Sequence, residues 1–472
     1  MTDEIEDGEE GTPSSAADTT ATRPGERRDG YVTPAWGGRC FARVPGTVGD
    51  ALGVDVGRSL PPETLPDGSF DRVVLLLIDG LGRDRFHDAR ESVSLFDRLA
   101  RAGETTGLTS VYPSETAAAI TTVHTGRTPS EHGLLGWNLH LPSVGRTCQT
   151  LPFVTRPADD ARRDAAAAGA DPWTVSPAAL DREARDLGEA TDGAVEGRTL
   201  FDGDTVYQRL AERGVICHTV QPSRIVGGGY GSLATRGAES HGVDSVAGFA
   251  VETRRRVASL ADADERGYVY AYWPNVDGAA HAEGTTAAPY RAELAAVAGA
   301  VERELDVLAA DLAGPGGAAD DTLLLLTADH GHLDSDPTAS VDLSSYPEVW
   351  DNLATHDDGR PVLPTGGPRN LHLHLADGTR ETVRAALDDA PFAARIYDGE
   401  TAVDEGLFGP GEVSPKLRER VGDLVVVPRE VGVWFGDEGR KLAFVGQHGG
   451  QHPDEMDVPF LACSLSEFAA TA

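Results

Sequence analysis

Five short apolar runs, residues 72–78, 215–220, 267–273, 322–326 and 442–445, limit what this chain can fold into. Each is too short for a helix or a membrane span, several are β-branched, and helical patterns separate them. A run without a polar break reads as a strand buried on both faces, which requires a sheet covered by helices on either side. Residues 288–312 show the intervening pattern. Leu294, Val297, Val301, Leu305, Leu308 and Leu312 recur at alternating steps of three and four, with Glu and Arg on the other faces, before Gly314, Pro315, Gly316 and Gly317 stop the helix. The expected fold class is therefore α/β, a doubly wound, mostly parallel sheet. Most of the runs lead into a carboxylate, a hydroxyl or an imidazole, and the carboxyl rim of such a sheet is where ligands bind.

Composition narrows the partners. Seventy-six acidic residues against 41 basic ones give a formal charge of −35, and Lys416 and Lys441 are the sole lysines. An overall field of that sign disfavours nucleic acid. A carboxylate excess with almost no lysine suits a surface hydrated in concentrated salt, where screening relieves its self-repulsion, so a halophilic protein is expected. Cys40, Cys148, Cys217 and Cys463 form no C-x-x-C and are read as buried thiols rather than a disulfide framework or a thiolate metal site. Residues 1–30 hold few apolar side chains and read as a disordered acidic tail. Arg27 and Arg28 are followed by no apolar export region, and no run approaches the roughly 18–20 residues of a membrane span, so no membrane attachment and a cytoplasmic location are expected.

Residues 31–334 and 441–472 are assigned to the catalytic core. Between them the texture changes to Pro-, Gly- and Asp-rich turns around runs at 370–375, 380–387, 393–397 and 423–427 and a helix opened by Ser414 and Pro415. That βαβαβ-like order predicts a small α/β lobe at 335–440, inserted near the active site because candidate ligands resume after it. In that lobe His372 and His374 alternate with leucines, which places both on one strand face, expected to be exposed.

Seven side chains carry the chemistry. Asp79 follows Val73 to Ile78, where a metal carboxylate belongs and where a turn-capping Asp is the alternative. Thr116 opens an alanine-rich helix stopped by Gly126; the free N–H groups there favour a phosphate, although Ser114 or Thr116 could simply be an N-cap. Asp277 and His281 stand four apart, which a helical turn would place on one face at chelating distance. Asp329 and His330 end a fully apolar strand side by side, with Gly331 allowing a tight turn. His448 lies in Gly446-Gln447-His448-Gly449-Gly450, after the run at 442–445. His332, Asp334 and His452 flank these motifs and are read as solvated. Three Asp, three His and a hydroxyl exceed one closed zinc site and suggest two metals with a nucleophile.

In this order the motifs resemble those of the alkaline phosphatase superfamily, and within it the type I phosphodiesterase and nucleotide pyrophosphatase family, over most of the chain from about Val73 to Leu461. Thr116 falls where that family has its nucleophile, and Pro129-Ser130-Glu131-His132-Gly133 looks like its P-x-x-H-G continuation. The resemblance implies an alkaline-phosphatase-like fold and a phosphodiesterase or pyrophosphatase acting on a small-molecule phosphate ester. One divalent metal would be held by Asp277, His281 and His448, and the other by Asp79, Asp329, His330 and Thr116. Zinc suits that mixed shell, with manganese as the alternative. Thr116 would attack phosphorus and be released by water. The sequence departs from animal relatives at Ala117-Ala118-Ala119, which replaces their Phe-Pro-Asn, and at Trp137, where they carry a phosphate-binding Asn. Asn138 is the remaining substrate-binding candidate. A phosphomonoesterase and a phosphonoacetate-type hydrolase are the alternatives within the fold, and a catalytically silent metal- or nucleotide-binding protein is the alternative outside that chemistry. Thr116 cannot become formylglycine and no C-x-P-x-R occurs, which disfavours a sulfatase.

Overall fold

The protein is described here by a computed structural model covering residues 23–313, 318–436 and 439–472. Its main sheet has seven strands in the order Glu104–Thr109, Asp457–Ser464, Thr322–Thr327, Arg72–Ile78, Gly267–Trp273, Ile216–Pro222 and Glu239–Val243. The last five pair in parallel, whereas Asp457–Ser464 runs antiparallel to both of its neighbours. Every residue of Arg72–Ile78, Gly267–Trp273 and Thr322–Thr327 is buried, as unbroken apolar runs demand. The helix Ala288–Leu312 forms as its periodicity predicts, and Leu294, Val297, Val301, Leu305 and Leu308 face the core. Its glycine-rich stop lies outside the described residues.

The run at 442–445 does not form a strand. Gly439–Leu442 is a short helix, and the sheet position beside Thr322–Thr327 is taken by Asp457–Ser464. That strand contains Pro459, Ser464 and an initial Asp, so its pattern is less uniform than those of the parallel strands.

A second seven-stranded sheet has the order Ala394–Asp398, Leu424–Pro428, Asn370–Leu373, Thr365–Gly367, Asn138–Leu141, Arg146–Gln149 and Val154–Thr155. Along the chain, residues 370–428 follow the βαβαβ-like order expected, and all pairings in the sheet are antiparallel. Three of the strands come from 138–155, a stretch expected in the core, so segment 335–440 shares this sheet with them. The join is the pairing of Gly366 with Asn138, and it gives each short hairpin the neighbour it lacks alone. This sheet is covered on both faces. Leu371, Leu373, Leu424 and Val426 belong to one apolar cluster with Trp434, while Val425 and Val427 join Phe408 and Leu417 in another. His372 is therefore buried rather than exposed: its Nδ1–H donates to Val421 O at 2.9 Å and its Nε2 accepts from Asn370 Nδ2 at 3.0 Å.

Of the expected acidic tail, residues 1–22 lie outside the described residues, and residues 23–30 are ordered. Glu26–Arg28 pairs with Tyr31–Thr33, and Arg23 and Arg27 reach the buried carboxylate of Asp457 at 3.0 and 2.6 Å. The anchor is electrostatic, so counting apolar residues could not find it. Among the described residues no helix is long and apolar enough to cross a membrane. All four cysteines are free and buried, as read from the sequence.

Buried histidines make the fold sensitive to acid. Burial pushes His124 and His132 down to about 3, His140 to about 2, and His372 and His374 to about 4. His132 Nδ1 accepts from Leu134 N at 3.1 Å, a bond that a doubly protonated ring cannot make. These groups are neutral when folded, so their stabilisation is complete above the ordinary histidine value and is lost as pH falls below it, at up to about 1.4 kcal/mol per pH unit for each. Asp159 and Glu115, raised by burial to about 6 and about 7, offset part of two such contributions over the same range. The denaturant midpoint should fall steeply between about pH 7 and pH 5. A flat profile there would contradict the buried neutral histidines.

Candidate active site

Three neighbouring parallel strands deliver most of the site. Ile78 lies opposite Trp273 and Leu77 opposite Thr327, so the turns after these strands open side by side at one rim. Asp79 follows the first directly, Asp329 and His330 come just after the second, and the helix Asn275–Glu283 starts after the third, carrying Asp277 and His281 on adjacent turns. Thr116 is the first residue of the helix Thr116–Thr125, which Glu115 precedes in extended conformation and Gly126 closes at φ 62°. His448 arrives from the far end of the chain: Gly446–Gln447 pairs with Leu333–Asp334, and Gly449 bridges to Ser114.

The structure brings all seven residues together as two adjoining groups. In one, Asp277 Oδ1 lies 3.4 Å from His281 Nε2 and 3.4 Å from His448 Nε2, and the two nitrogens are 3.2 Å apart. In the other, His330 Nε2 lies 3.4 Å from Asp79 Oδ1, 3.5 Å from Asp329 Oδ2 and 3.0 Å from Thr116 Oγ1. A tetrahedral ion with bonds of roughly 2.0–2.2 Å separates its ligand atoms by about 3.3–3.6 Å; the carboxylate–imidazole separations of both groups fall in that range, while the imidazole pair at 3.2 Å and the threonine contact at 3.0 Å are shorter. The groups touch through His330 and His448, whose rings stack at 3.7 Å.

The donor set fits two cations. His281 donates Nδ1–H to Gly446 O at 2.7 Å, His330 to Gly331 O at 3.0 Å, and His448 to Ser114 O at 3.2 Å. Each bond fixes the proton on Nδ1 and leaves an Nε2 lone pair aimed into the cleft. The carboxylates are arranged the same way. Tyr272 hydroxyl donates to Asp79 Oδ2, and Gly80 N and His330 N donate to Asp329 Oδ1 at 3.2 and 3.1 Å. Asp79 Oδ1 and Asp329 Oδ2 are buried without a hydrogen-bond partner among the described residues. Burial and the nearby charges of Asp329 and Asp277 hold the Asp79 carboxyl well above its ordinary value. Buried like charges and facing lone pairs repel unless cations lie between them.

His332, read from the sequence as solvated, has a fully buried side chain here. Its Nε2 meets Asp277 Oδ1 at 2.9 Å and its Nδ1 meets Gly80 O at 3.2 Å. Both ring nitrogens thus face acceptors, unlike the other three histidines, and although burial opposes it, Asp277 raises the His332 value. His332 fastens Asp277, and Tyr272 does the same for Asp79. The available signals were the imidazole two residues after His330 and the tyrosine next to the end of its strand. Phe444 stacks on His281 at 4.3 Å and closes one side. Asp334 is exposed as expected and accepts from Thr285, while His452 is half-buried and caps the helix Pro453–Met456.

Asn138 is fully buried in the second sheet, where its amide donates to Gly366 O at 3.2 Å. Ala117, Ala118 and Ala119 are wholly buried and offer no surface to a substrate. Glu115, next to Thr116, is also buried; its Oε1 accepts from Trp137 N at 2.6 Å, and burial pushes its carboxyl up to about 7.

The glycine loop around His448 depends on a buried ion pair. Arg369 binds Glu455 at 2.8 and 3.1 Å with neither side chain exposed, and Glu455 also accepts from Gly450 N at 2.9 Å and His452 N at 3.1 Å. Arg369→Ala leaves that carboxylate buried with its cation removed, so a loss of about 3–5 kcal/mol in unfolding free energy is expected. Equilibrium denaturation checks this; a loss under about 1 kcal/mol would mean that water replaces the arginine.

A family model described as type I phosphodiesterase / nucleotide pyrophosphatase matches residues 73–451. Among curated proteins none matches the chain significantly. Among solved structures, murine ectonucleotide pyrophosphatase/phosphodiesterase 5 is similar at 14% identity and TM-score 0.55, covering 83% of this chain and 87% of its own. An inactive threonine-to-alanine form of that murine protein in complex with AMP is similar at 13% identity and TM-score 0.54, with coverage of 83% and 87%. Phosphonoacetate hydrolase from Sinorhizobium meliloti 1021, in complex with phosphonoacetate, is similar at 16% identity and TM-score 0.54, covering 87% of this chain and 96% of its own.

Proposed function

This chain belongs to the type I phosphodiesterase / nucleotide pyrophosphatase family, and we propose that it hydrolyses a phosphodiester or pyrophosphate bond in a small molecule through Thr116. The observation that carries this reading is the position of Thr116 Oγ1, 3.0 Å from His330 Nε2 at the start of a helix and beside two donor groups of metal-binding geometry. Asp277, His281 and His448 would hold one divalent cation, and Asp79, Asp329, His330 and Thr116 the other. Bound there, the pair, zinc by its donor set with manganese as the alternative, neutralises phosphate charge and lowers the pKa of the threonine hydroxyl.

The remaining chemistry belongs to the chain. The N–H groups and dipole of the first turn after Thr116 attract the phosphate and hold it against the hydroxyl. Thr116 Oγ forms the new bond to phosphorus as the bond to the leaving oxygen breaks, giving a phosphothreonine. Water then attacks phosphorus and releases Thr116. The murine relative named inactive after a threonine-to-alanine change supports a threonine in this role.

A second reading, hydrolysis of a small phosphonate, is favoured by the alanines after Thr116, which supply no aromatic wall for a nucleobase. Assaying a phosphodiester, a phosphomonoester and phosphonoacetate, each with and without a chelator, separates the readings. Chelator-sensitive cleavage of the diester alone supports the first, cleavage of the C–P bond supports the second, and no turnover with metal bound supports a silent binder.

We extend the proposal to the solvent: the charge of −35 suits a halophilic surface. Raising ionic strength from about 0.1 to 1 M shortens the screening length from about 10 to 3 Å, so the thermal midpoint should rise by several degrees. An unchanged or lower midpoint would sink that idea.

A further inference from the structure

The edge of the main sheet farthest from Asp457–Ser464 carries another cluster of metal-binding side chains. His218 lies in Ile216–Pro222, and Glu239 and His241 lie in the edge strand Glu239–Val243. Parallel pairing puts His218 opposite Glu239, with His241 two residues on and pointing to the same face as Glu239. His218 also lies opposite Val269, which lies opposite Val74, so the cluster sits partway down the sheet, two strands from Arg72–Ile78 and below the rim where Asp79 begins the active site.

From this geometry we infer that His218, Glu239 and His241 bind a divalent transition metal, of which zinc suits the donors best. His218 Nδ1 and His241 Nε2 are 3.1 Å apart; Glu239 Oε2 lies 3.7 Å from the first and Glu239 Oε1 3.9 Å from the second. These separations bracket the edge of about 3.3–3.6 Å that a tetrahedral zinc requires between its ligands. Two imidazoles and a carboxylate form a mixed set that zinc accepts, with a fourth position left to water.

The surroundings are those of a supported ligand rather than a chance surface pair. His218 is largely buried and His241 has a side chain only 13% exposed, so both rings are held by packing. The other nitrogen of His241, Nδ1, faces Glu252 Oε1 at 3.5 Å from the helix Val246–Asp262. A carboxylate behind a ligating imidazole fixes its tautomer and raises its basicity. Arg256, at 3.0 Å from the same Glu252 oxygen, holds that carboxylate in place. Glu239, with a side chain 68% exposed, provides the path by which an ion enters. A bound ion would tie the edge strand to Ile216–Pro222 and to that helix, which gives the site a stabilising role separate from hydrolysis.

The test compares the wild-type chain with His218→Ala/His241→Ala. Both are stripped with a chelator, reloaded with Zn2+, desalted and analysed for zinc per chain. The wild type should retain one zinc more than the variant, while phosphoester turnover stays within about twofold. Because the result is a difference, it holds whether or not the active-site residues also load zinc. Equal zinc in the two proteins overturns the inference. Glu252→Gln, which leaves all three ligands in place, guards against a variant that merely perturbs the edge strand. Its affinity for this zinc, measured by competition with a chromophoric chelator, should fall about 10–100-fold, and an unchanged affinity also counts against the site.

Discussion

Thr116→Ala should lower phosphoester turnover by on the order of 10³-fold or more, equivalent to about 4 kcal/mol of transition-state stabilisation, while the chain stays folded and retains its metals. The reason is geometric. Thr116 Oγ1 is placed 3.0 Å from His330 Nε2, and the side chain contributes only one of four donors to its group, with Asp79, Asp329 and His330 left intact. Thr116 stands at the first position of its helix, where alanine is tolerated, so the loss cannot be assigned to unfolding. Thr116→Ser restores a hydroxyl and should recover a large part of the rate. Turnover unchanged in the alanine variant would remove Thr116 from the mechanism, and equal loss in both variants would point to packing of the threonine methyl group instead.

The second large effect is expected at Asp277. Its Oδ1 is the atom shared by His281, His448 and His332, at 3.4, 3.4 and 2.9 Å. Asp277→Asn keeps the shape and removes the charge, so the protein should lose one metal per chain and on the order of 10²-fold in turnover, with little recovery in excess zinc. His332→Ala provides the contrast, because His332 acts through Asp277. Metal affinity should fall about 10–100-fold, and saturating zinc should restore turnover. If zinc fails to restore it, His332 has a role beyond holding Asp277. If Asp277→Asn keeps full metal content, the assignment of that group is wrong.

Thr116 and Asp277, unlike His332, were visible as site residues in the sequence, and the reason is local. Asp79, Asp329 and His330 follow fully apolar strands, and the strand Arg72–Ile78 and the helix Ala288–Leu312 have the predicted bounds because one periodicity runs through each without interruption. The helix starting at Thr116 was likewise marked by the alanines that follow Thr116 and the glycine that ends it. The readings that failed depended on what lies opposite a segment. Residues 442–445 are as apolar as a strand, but the neighbouring position in the sheet is filled by Asp457–Ser464. His372 alternates like a surface residue and is buried because Phe408 and Leu417 cover that face from distant parts of the chain. His332 looked solvated because nothing near it in sequence reveals Asp277.

The sequence by itself determined the class of sheet, the order of the ligand-bearing turns and the chemical types of the seven side chains, since each is encoded within a few residues by periodicity, turn formers and donor atoms. The division of those side chains into two groups was implied by the family resemblance, and tertiary structure supplied the distances within each group. Parallel register aligns Asp79, Asp277 and Asp329 at one rim, and a loop arriving from beyond the second sheet inserts His448 between His281 and His330. Tertiary structure also decided that strands from 138–155 complete the second sheet and that His218 meets His241 across an edge pairing. Distances between residues far apart in the chain follow from register and packing, which no local pattern carries.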